Sequence, residues 1–193
     1  MTRRHLAAIL ITTTALGLAA CGTQDASTTS ATDTTQSTQA ATPTPASTPG
    51  DGTFIDPTSV DRSDVDATAE AAAMLLHSWD TTTDKTQTAA AIRAKPLMSK
   101  DWAAHQIEPE RNGAQGQWLE PSKHQAYSVP SVVPAVGDTS ENVAPDKAIR
   151  AYNMQWSWKS RDGFELKDTH KQQITIYLEK HGGKWSVVGH TLG

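Results

Sequence analysis

Cysteine is almost absent from this chain, which has a single one, Cys21, among its 193 residues. One cysteine cannot form a disulfide within the chain, and it excludes zinc sites built from paired thiolates. The histidines never fall at the spacing of an HExxH helix, and the sequence has neither a glycine-rich phosphate loop nor a GxSxG turn. We therefore predict no metal site and no cofactor, and we assign no catalytic residue.

Long apolar runs are also missing. The most apolar stretch, residues 6–18, covers thirteen positions, whereas a membrane-spanning helix needs about 20. Because this stretch follows the basic residues Arg3 and Arg4, residues 1–20 are predicted to be an export signal peptide rather than a permanent transmembrane anchor. The arginine pair leaves two export routes open, the general secretory route and the twin-arginine route.

The cysteine ends the sequence Leu18-Ala19-Ala20-Cys21. This tetrapeptide resembles the lipobox of bacterial lipoprotein precursors, in which the cysteine is lipidated on sulfur before the signal peptide is cleaved. The resemblance implies that the mature protein begins at Cys21 and carries acyl chains such as palmitate; two or more chains hold far more firmly than one. We expect a lipid-anchored protein on the extracytoplasmic face of the cell membrane. The alternatives are an ordinary buried thiol and a plain signal peptide.

Aromatic residues are missing before Phe54, and all eleven lie at or after it. Ser and Thr instead make up fourteen of the twenty-nine residues over 22–50, which include no Val, Ile, Leu or Met. Such a segment buries too little apolar surface to offset the entropy of ordering it. Residues 21–57 are therefore predicted to be the lipidated cysteine and a disordered tether, and residues 58–193 one disulfide-free domain.

Basic side chains are outnumbered by acidic ones. Without residues 1–20, 15 basic residues stand against 21 acidic residues, a formal charge of −6. An exported acidic domain is poorly suited to binding the phosphates of nucleic acid. We therefore predict no nucleic-acid partner.

The first half of the domain has the apolar spacing of helices. Ser63 is a candidate N-cap for the first helix. The predicted buried stripe of this helix consists of Val65, Ala69, Ala72, Leu76 and Trp79. Further helices are predicted over 86–94 and from Ser99 onward, the latter carrying Trp102. The polar, glycine-containing residues 109–121 are predicted to be a loop.

The second half alternates apolar and polar residues, as antiparallel strands do. In the strand predicted over 148–160, the residues expected on the core face are Tyr152, Met154, Trp156 and Trp158. Strands over 172–178 and 185–191 are predicted to be joined by a Gly-Gly turn. An earlier strand over 127–136 contains two prolines, so it is predicted to lie at an edge or a bulge.

Helices followed by an antiparallel sheet, with the ending Gly183-Lys184-Trp185-Ser186-Val187, resemble the NTF2-like cone of SnoaL-type proteins and of small envelope lipoproteins. The resemblance covers residues 60–193. It implies an α+β fold in which N-terminal helices pack on a curved antiparallel sheet. Enzymes of this family resemble one another in placing a carboxylate or a His–Asp pair beside a tyrosine inside the cone.

The predicted core face of the strand over 148–160 includes Tyr152, as that family pattern requires, but no carboxylate. Polar candidates near the helix ends are His77, Asp80, Asp101 and His105, for which a solvated or capping role is the alternative. Candidate pocket-lining residues are Trp79, Trp102, Tyr152, Met154, Trp156 and Trp158, for which a plain core role is the alternative.

Our leading hypothesis is a membrane-anchored lipoprotein whose domain binds an envelope protein partner or a small apolar ligand, without catalysis. The alternative is a ketosteroid-isomerase-like or SnoaL-like enzyme that uses a carboxylate or a histidine in the cone. General acid–base catalysis would need such a group within hydrogen-bond reach of its proton.

Overall fold

Helices and an antiparallel sheet make up the folded part of the chain, so the predicted α+β class is confirmed. The structure is a computed structural model that describes residues 46–47, 51–111, 113, 115–137 and 140–193. The predicted signal peptide, Cys21 and residues 22–45 of the predicted tether lie outside the described residues. No helix in the described ranges is long and apolar enough to cross a membrane.

The sheet contains six described strands, each antiparallel to its neighbours. They are β1 (Ala46–Ser47), β2 (Tyr127–Pro134), β3 (Glu141–Ala144), β4 (Lys147–Lys159), β5 (Thr169–His181) and β6 (Lys184–Leu192). Their order is β1-β2-β4-β5-β6, and β3 pairs with the beginning of β4. β1 and β6 form the two ends of this order, and the sheet is not closed.

β4 is the central strand, pairing with β5 along one edge and with β2 and β3 along the other. Its predicted alternation is confirmed, because Asn153 and Gln155 are exposed while the residues between and beside them face inward. The buried or half-buried inward side chains are Tyr152, Met154, Trp156 and Trp158. Opposite Trp156 and Met154, β5 places His170 and Gln172, so both β5 side chains share the inner face.

Glycine makes the predicted reversals of the sheet. Gly182 and Gly183 connect β5 to β6 with φ of +57° and +80°, and Gly163 has φ of +84° after β4. These angles lie in the left-handed region, which glycine adopts without a steric penalty. The Gly-Gly turn predicted between the last two strands is confirmed.

β2 lies near the end of the sheet, in agreement with its prolines. Of the described strands, only the two-residue β1 lies outside it, opposite Val132 and its neighbour. On the same side the main-chain N–H of Ser128 donates to the carbonyl of Trp79 at 2.8 Å. Because the directions of the backbone N–H groups alternate along a strand, the backbone nitrogens of Pro130 and Pro134 face this side as well.

β3 and the residues before position 58 both add to the predicted sheet domain. β3 was not predicted, because its first three residues are exposed and it carries no alternating apolar signal. β1 also joins the sheet, and Phe54 and Ile55, which precede the predicted domain start at residue 58, pack against the main core. The folded part therefore includes residues that were assigned to the tether.

Helix α1 (Val65–Leu75) packs against the sheet. Its N-cap is Asp64, whose carboxylate accepts the N–H groups of Asp66 and of the next residue at 2.8 and 3.1 Å. The predicted cap, Ser63, was wrong because its hydroxyl donates to Asp61 at 2.7 Å instead. An aspartate cap satisfies the same orphan N–H groups and also suits the positive end of the helix.

Small side chains let α1 lie close to the strands. Every residue of its predicted stripe is buried or half-buried, but the helix ends at Leu75, before Leu76 and Trp79. The helix is also buried beyond that stripe, at Thr68, Ala71, Ala73, Met74 and Leu75. This helix and the inward side chains of β4, β5 and β6 form the main hydrophobic core.

Three short elements follow α1, and the two helices among them lie at about the predicted positions. They are α2 (Thr88–Arg93), a single 3₁₀ turn (Lys95–Leu97) and α3 (Lys100–Ala104). The side chain of Ser99 caps α3 by accepting the N–H of Trp102 at 3.2 Å.

Helix α4 (Gln115–Lys123) contradicts the loop predicted over 109–121. Its Trp118 is only 6% exposed, and its ring lies 5.4 Å from that of Trp158 and 6.5 Å from that of Trp79. Pro121 lies inside the helix, where it removes one backbone hydrogen bond. Burial of the indole outweighs this cost, so tertiary packing decides the local structure.

Candidate functional site

A cleft opens between the inner face of the sheet and the helical layer. Its volume is about 710 Å³, within the range of roughly 300–1,000 Å³ typical of small-molecule sites. Its helical wall includes Leu76, His77, Trp79, Gln87, Ala91 and Gln117. Its floor on the sheet includes Trp156, His170, Lys171, Gln172, His190 and Leu192. A second depression of about 630 Å³ is lined partly by the outward residues Asn153 and Gln155, and its described lining includes no aromatic ring.

Aromatic rings form one corner of the cleft. The cross-strand pair Trp156 and His170 is stacked, with ring centroids 5.0 Å apart and planes at 18°. The ring of Trp79 meets that of Trp156 nearly edge-on, at 5.8 Å and 70°. The floor and the helical wall therefore present two indoles at a steep angle to each other.

His77 is the most deeply buried polar residue of the cleft, at 3% exposure. Its Nδ1 lies 3.1 Å from the carbonyl oxygen of Ala73, and since a carbonyl only accepts, Nδ1 must carry the proton. Nε2 then has a free lone pair and faces the side-chain amide of Gln172 at 3.5 Å. The NH₂ group of that amide is its natural partner, which an amide flip provides. Burial lowers the pKa of His77, so the ring is neutral at neutral pH.

His190 supplies a second imidazole to the cleft, and burial lowers its pKa as well. Its ring stands perpendicular to that of Trp102, with centroids 6.0 Å apart. Within the described part of the chain, His190 Nδ1 and Trp102 Nε1 are buried polar atoms without a hydrogen-bond partner. Two unsatisfied nitrogens thus occur together beside the cleft.

The cleft carries little formal charge. Its lining, as far as the chain is described, contains no Asp or Glu, and Lys171 is its one Lys or Arg. The acids predicted as candidates lie elsewhere. Asp101 is exposed, and the carboxylate of Asp80 pairs with Arg161. His105 is exposed too, and its Nδ1 contacts the carbonyl of Asp101 at 2.7 Å. Among the described residues, none of these candidate carboxylates lines the cleft.

Tyr152 is separated from the histidines by the length of α1. Its hydroxyl lies 3.5 Å from the carbonyl of Asp66, in the first turn of the helix. His77 follows the other end of the helix, eleven residues later, which corresponds to about 16 Å along the axis. Burial, aided by the negative charge of Asp66, raises the pKa of the Tyr152 hydroxyl. Tyr152 and His77 cannot share a proton-transfer step at that separation.

Of the six predicted lining residues, the structure places Trp79 and Trp156 in the cleft. Trp102 lies next to it, against His190. The other three belong to the cores: Tyr152 and Met154 pack in the main core, and Trp158 packs with Trp79 and Trp118 in a second, aromatic core. The sequence interpretation did not select His170, His190 or Gln172 as lining residues, although the alternation of β5 could have placed Gln172 on the inner face.

Two Asp–Arg pairs hold the turn that follows the cleft residue Trp79. Arg93 Nη2 donates to both carboxylate oxygens of Asp84, at 2.6 and 2.8 Å. The same carboxylate accepts the main-chain N–H of Asp80 at 2.9 Å. Asp80 in turn accepts two bonds from the guanidinium of Arg161, at 2.9 and 2.7 Å. Burial alone would raise the pKa of Asp80, but these bonds and others from Thr82 lower it.

The described residues include no group of three or more His, Cys, Asp or Glu side chains placed to hold a metal ion. No protein-family model, no curated protein and no solved structure matches the chain. The function is therefore inferred from the cleft and from the N-terminal sequence.

The two buried imidazoles should make the fold sensitive to acid. Their pKa values lie below the ordinary value of 6.5 in the folded protein, so below pH 6.5 the unfolded chain binds more protons than the folded one. The free energy of unfolding is then expected to fall with decreasing pH, by at most about 1.4 kcal/mol per pH unit for each histidine. Urea titrations at several pH values measure this slope.

A His77→Gln variant should have a shallower slope below pH 6.5, because glutamine does not titrate. The exposed Gln173 provides the control, and Gln173→Leu should keep the wild-type slope because neither side chain titrates. Equal slopes for wild type and His77→Gln would contradict the prediction.

Proposed function

We propose that this protein is an extracytoplasmic lipoprotein, anchored at the cell membrane through Cys21. The support is the sequence Leu18-Ala19-Ala20-Cys21, placed directly after a short apolar segment with basic residues before it. Two or more acyl chains at this cysteine would make the attachment effectively permanent. The folded domain would then work at a membrane surface.

We further propose that the domain is an NTF2-like cone and that its open mouth is the cleft. The support for this assignment is the packing of α1 against one sheet, with the shorter helices closing over the inner face beside it. In such a cone the interior between helices and strands is the place for a ligand.

The cleft is proposed to bind a small ligand without transforming it. One observation carries this proposal: an open aromatic cleft whose described lining has no carboxylate, with its buried imidazole far from Tyr152. The ketosteroid-isomerase-like alternative would have to rely on the Nε2 lone pair of His77, without the tyrosine that enzymes of this family place beside the base. A binding role needs only the shape and the polar groups that are present.

The test is to purify the full-length protein from its native membranes and detect bound small molecules by native mass spectrometry. Leu192 lines the cleft and is 52% exposed, so Leu192→Trp should narrow the cleft without disturbing the fold. We expect the variant to lose the bound molecule that the wild type retains.

Leu119 provides the matched control, since it is 57% exposed and lies on α4 away from the cleft lining. Leu119→Trp should retain the ligand. Equal retention by both variants would show that the ligand lies elsewhere, and recovery of a chemically altered molecule that depends on His77 would favour the enzyme.

A further inference from the structure

We propose that the ligand of the cleft is a neutral saccharide, an uncharged ring that carries hydroxyl groups. This inference rests on the proposed binding function and names its ligand class. It depends on three features of the cleft: its charge, its hydrogen-bonding groups and the arrangement of its indoles.

The charge of the lining favours an uncharged ligand. Its described residues include no carboxylate, so a cation would find no counter-charge. Its one Lys or Arg side chain, Lys171, is exposed, and the buried imidazoles of His77 and His190 are neutral at neutral pH. An anion would therefore lose water and gain little, because burying an unpaired charge is strongly unfavourable.

The hydrogen-bonding groups favour a ligand with hydroxyls over an apolar one. Four primary amides line the cleft, those of Gln87, Gln106, Gln117 and Gln172. Each amide both donates and accepts, as a sugar hydroxyl does. An apolar ligand would strip water from these groups without replacing its hydrogen bonds.

The indoles favour a ring with apolar faces. Trp79 and Trp156 stand at 70° to each other with centroids 5.8 Å apart. A pyranose has C–H groups on its two faces and hydroxyls around its edge. Trp79 is only 6% exposed and His170 stacks on Trp156, so such a ring would pack one face on the part of the half-buried Trp156 that remains open while its edge reaches the amides of the cleft.

The experiment measures binding of defined compounds to the full-length protein by saturation-transfer NMR. The neutral saccharides are cellobiose, maltose and chitobiose, and the comparators are galacturonate, glucosamine and indole. Gln172→Leu removes one amide from the floor, and Gln173→Leu removes its neighbour on the outer face of the same strand. We expect a neutral saccharide to bind, Gln172→Leu to weaken it about tenfold, and Gln173→Leu to change it by less than about twofold.

Each other outcome has a defined meaning. If indole or a charged comparator binds at the cleft and no neutral saccharide does, the ligand class is wrong and the binding function stands. A co-purified ligand that is not a saccharide has the same meaning. If saccharides bind equally to both glutamine variants, the cleft is not their site and the inference is overturned. If no compound binds and no ligand co-purifies, both proposals fail.

Discussion

A Cys21→Ala variant is expected to incorporate no fatty acid and to keep its leader of 20 residues. The chain has no other thiol to which a lipid could be attached through sulfur. In the lipoprotein precursors that the tetrapeptide resembles, lipidation precedes cleavage, so loss of the cysteine should block both steps. Metabolic labelling with a clickable fatty acid and intact-mass measurement record the two changes, and both should be complete rather than partial.

A neighbouring substitution controls for effects on export. Thr23→Ala lies two residues further along and leaves the tetrapeptide intact, so it should label and mature as the wild type does. Equal labelling of Cys21→Ala and wild type would rule out the anchor. An intact leader on soluble wild-type protein in the cytosol would do the same.

Removing the Asp84 carboxylate should cause one of the largest losses of stability in the folded domain. Asp84 is 8% exposed and Arg93 donates to both of its oxygens. An Asp84→Ala substitution takes the carboxylate partner from Arg93, which keeps its bond to the carbonyl of Ser78, and also removes the acceptor for the N–H of Asp80. Breaking a buried pair in this way costs about 3–5 kcal/mol. Urea denaturation followed by tryptophan fluorescence measures the free energy of unfolding.

A surface pair gives the matched comparison. Lys147 and Glu179 form an ion pair at 2.9 Å with both side chains substantially exposed, so Glu179→Ala should cost less than about 1 kcal/mol. Adding Arg93→Met to Asp84→Ala removes the orphaned charge and should recover part of the loss. The role assigned to the buried pair is wrong if Asp84→Ala costs no more than Glu179→Ala.

Helices and strands that bury one whole face could be predicted from the sequence, because their apolar residues recur at a regular spacing. The side chains from Tyr152 to Trp158 alternate because β4 has one face on the core and the other in water. The stripe of α1 was visible because an entire helix face is buried. The turn between β5 and β6 was visible because two consecutive glycines permit positive φ.

Features that depend on distant partners could not be predicted. In α4, Trp118 and Pro121 are the buried residues of its described side chains, so the helix shows no apolar period and its proline argues against it. The N-cap of α1 was misassigned because Ser63 and Asp64 both suit the position, and only the contact with Asp61 separates them.

Which residues line the cleft also depends on the register in which β5 pairs with β4. His170 and Gln172 join Trp156 because β5 pairs with β4 in one particular alignment, which the sequence does not specify. Tyr152 was grouped with Trp156 because they share a strand face. Four residues of strand separate them by about 13 Å, however, which is enough to place them at different ends of the helix–sheet interface.

The outer side of β2, where β1 and Trp79 lie, has a consequence for contacts between copies of this chain. The backbone nitrogens of four alternate residues of β2 face this side. Ser128 donates its N–H to Trp79 and Val132 lies opposite β1, while Pro130 and Pro134 have no N–H. An incoming strand from another copy would find no donor row to pair with along this stretch. The edge is thereby protected against fibrous self-assembly at high local concentration.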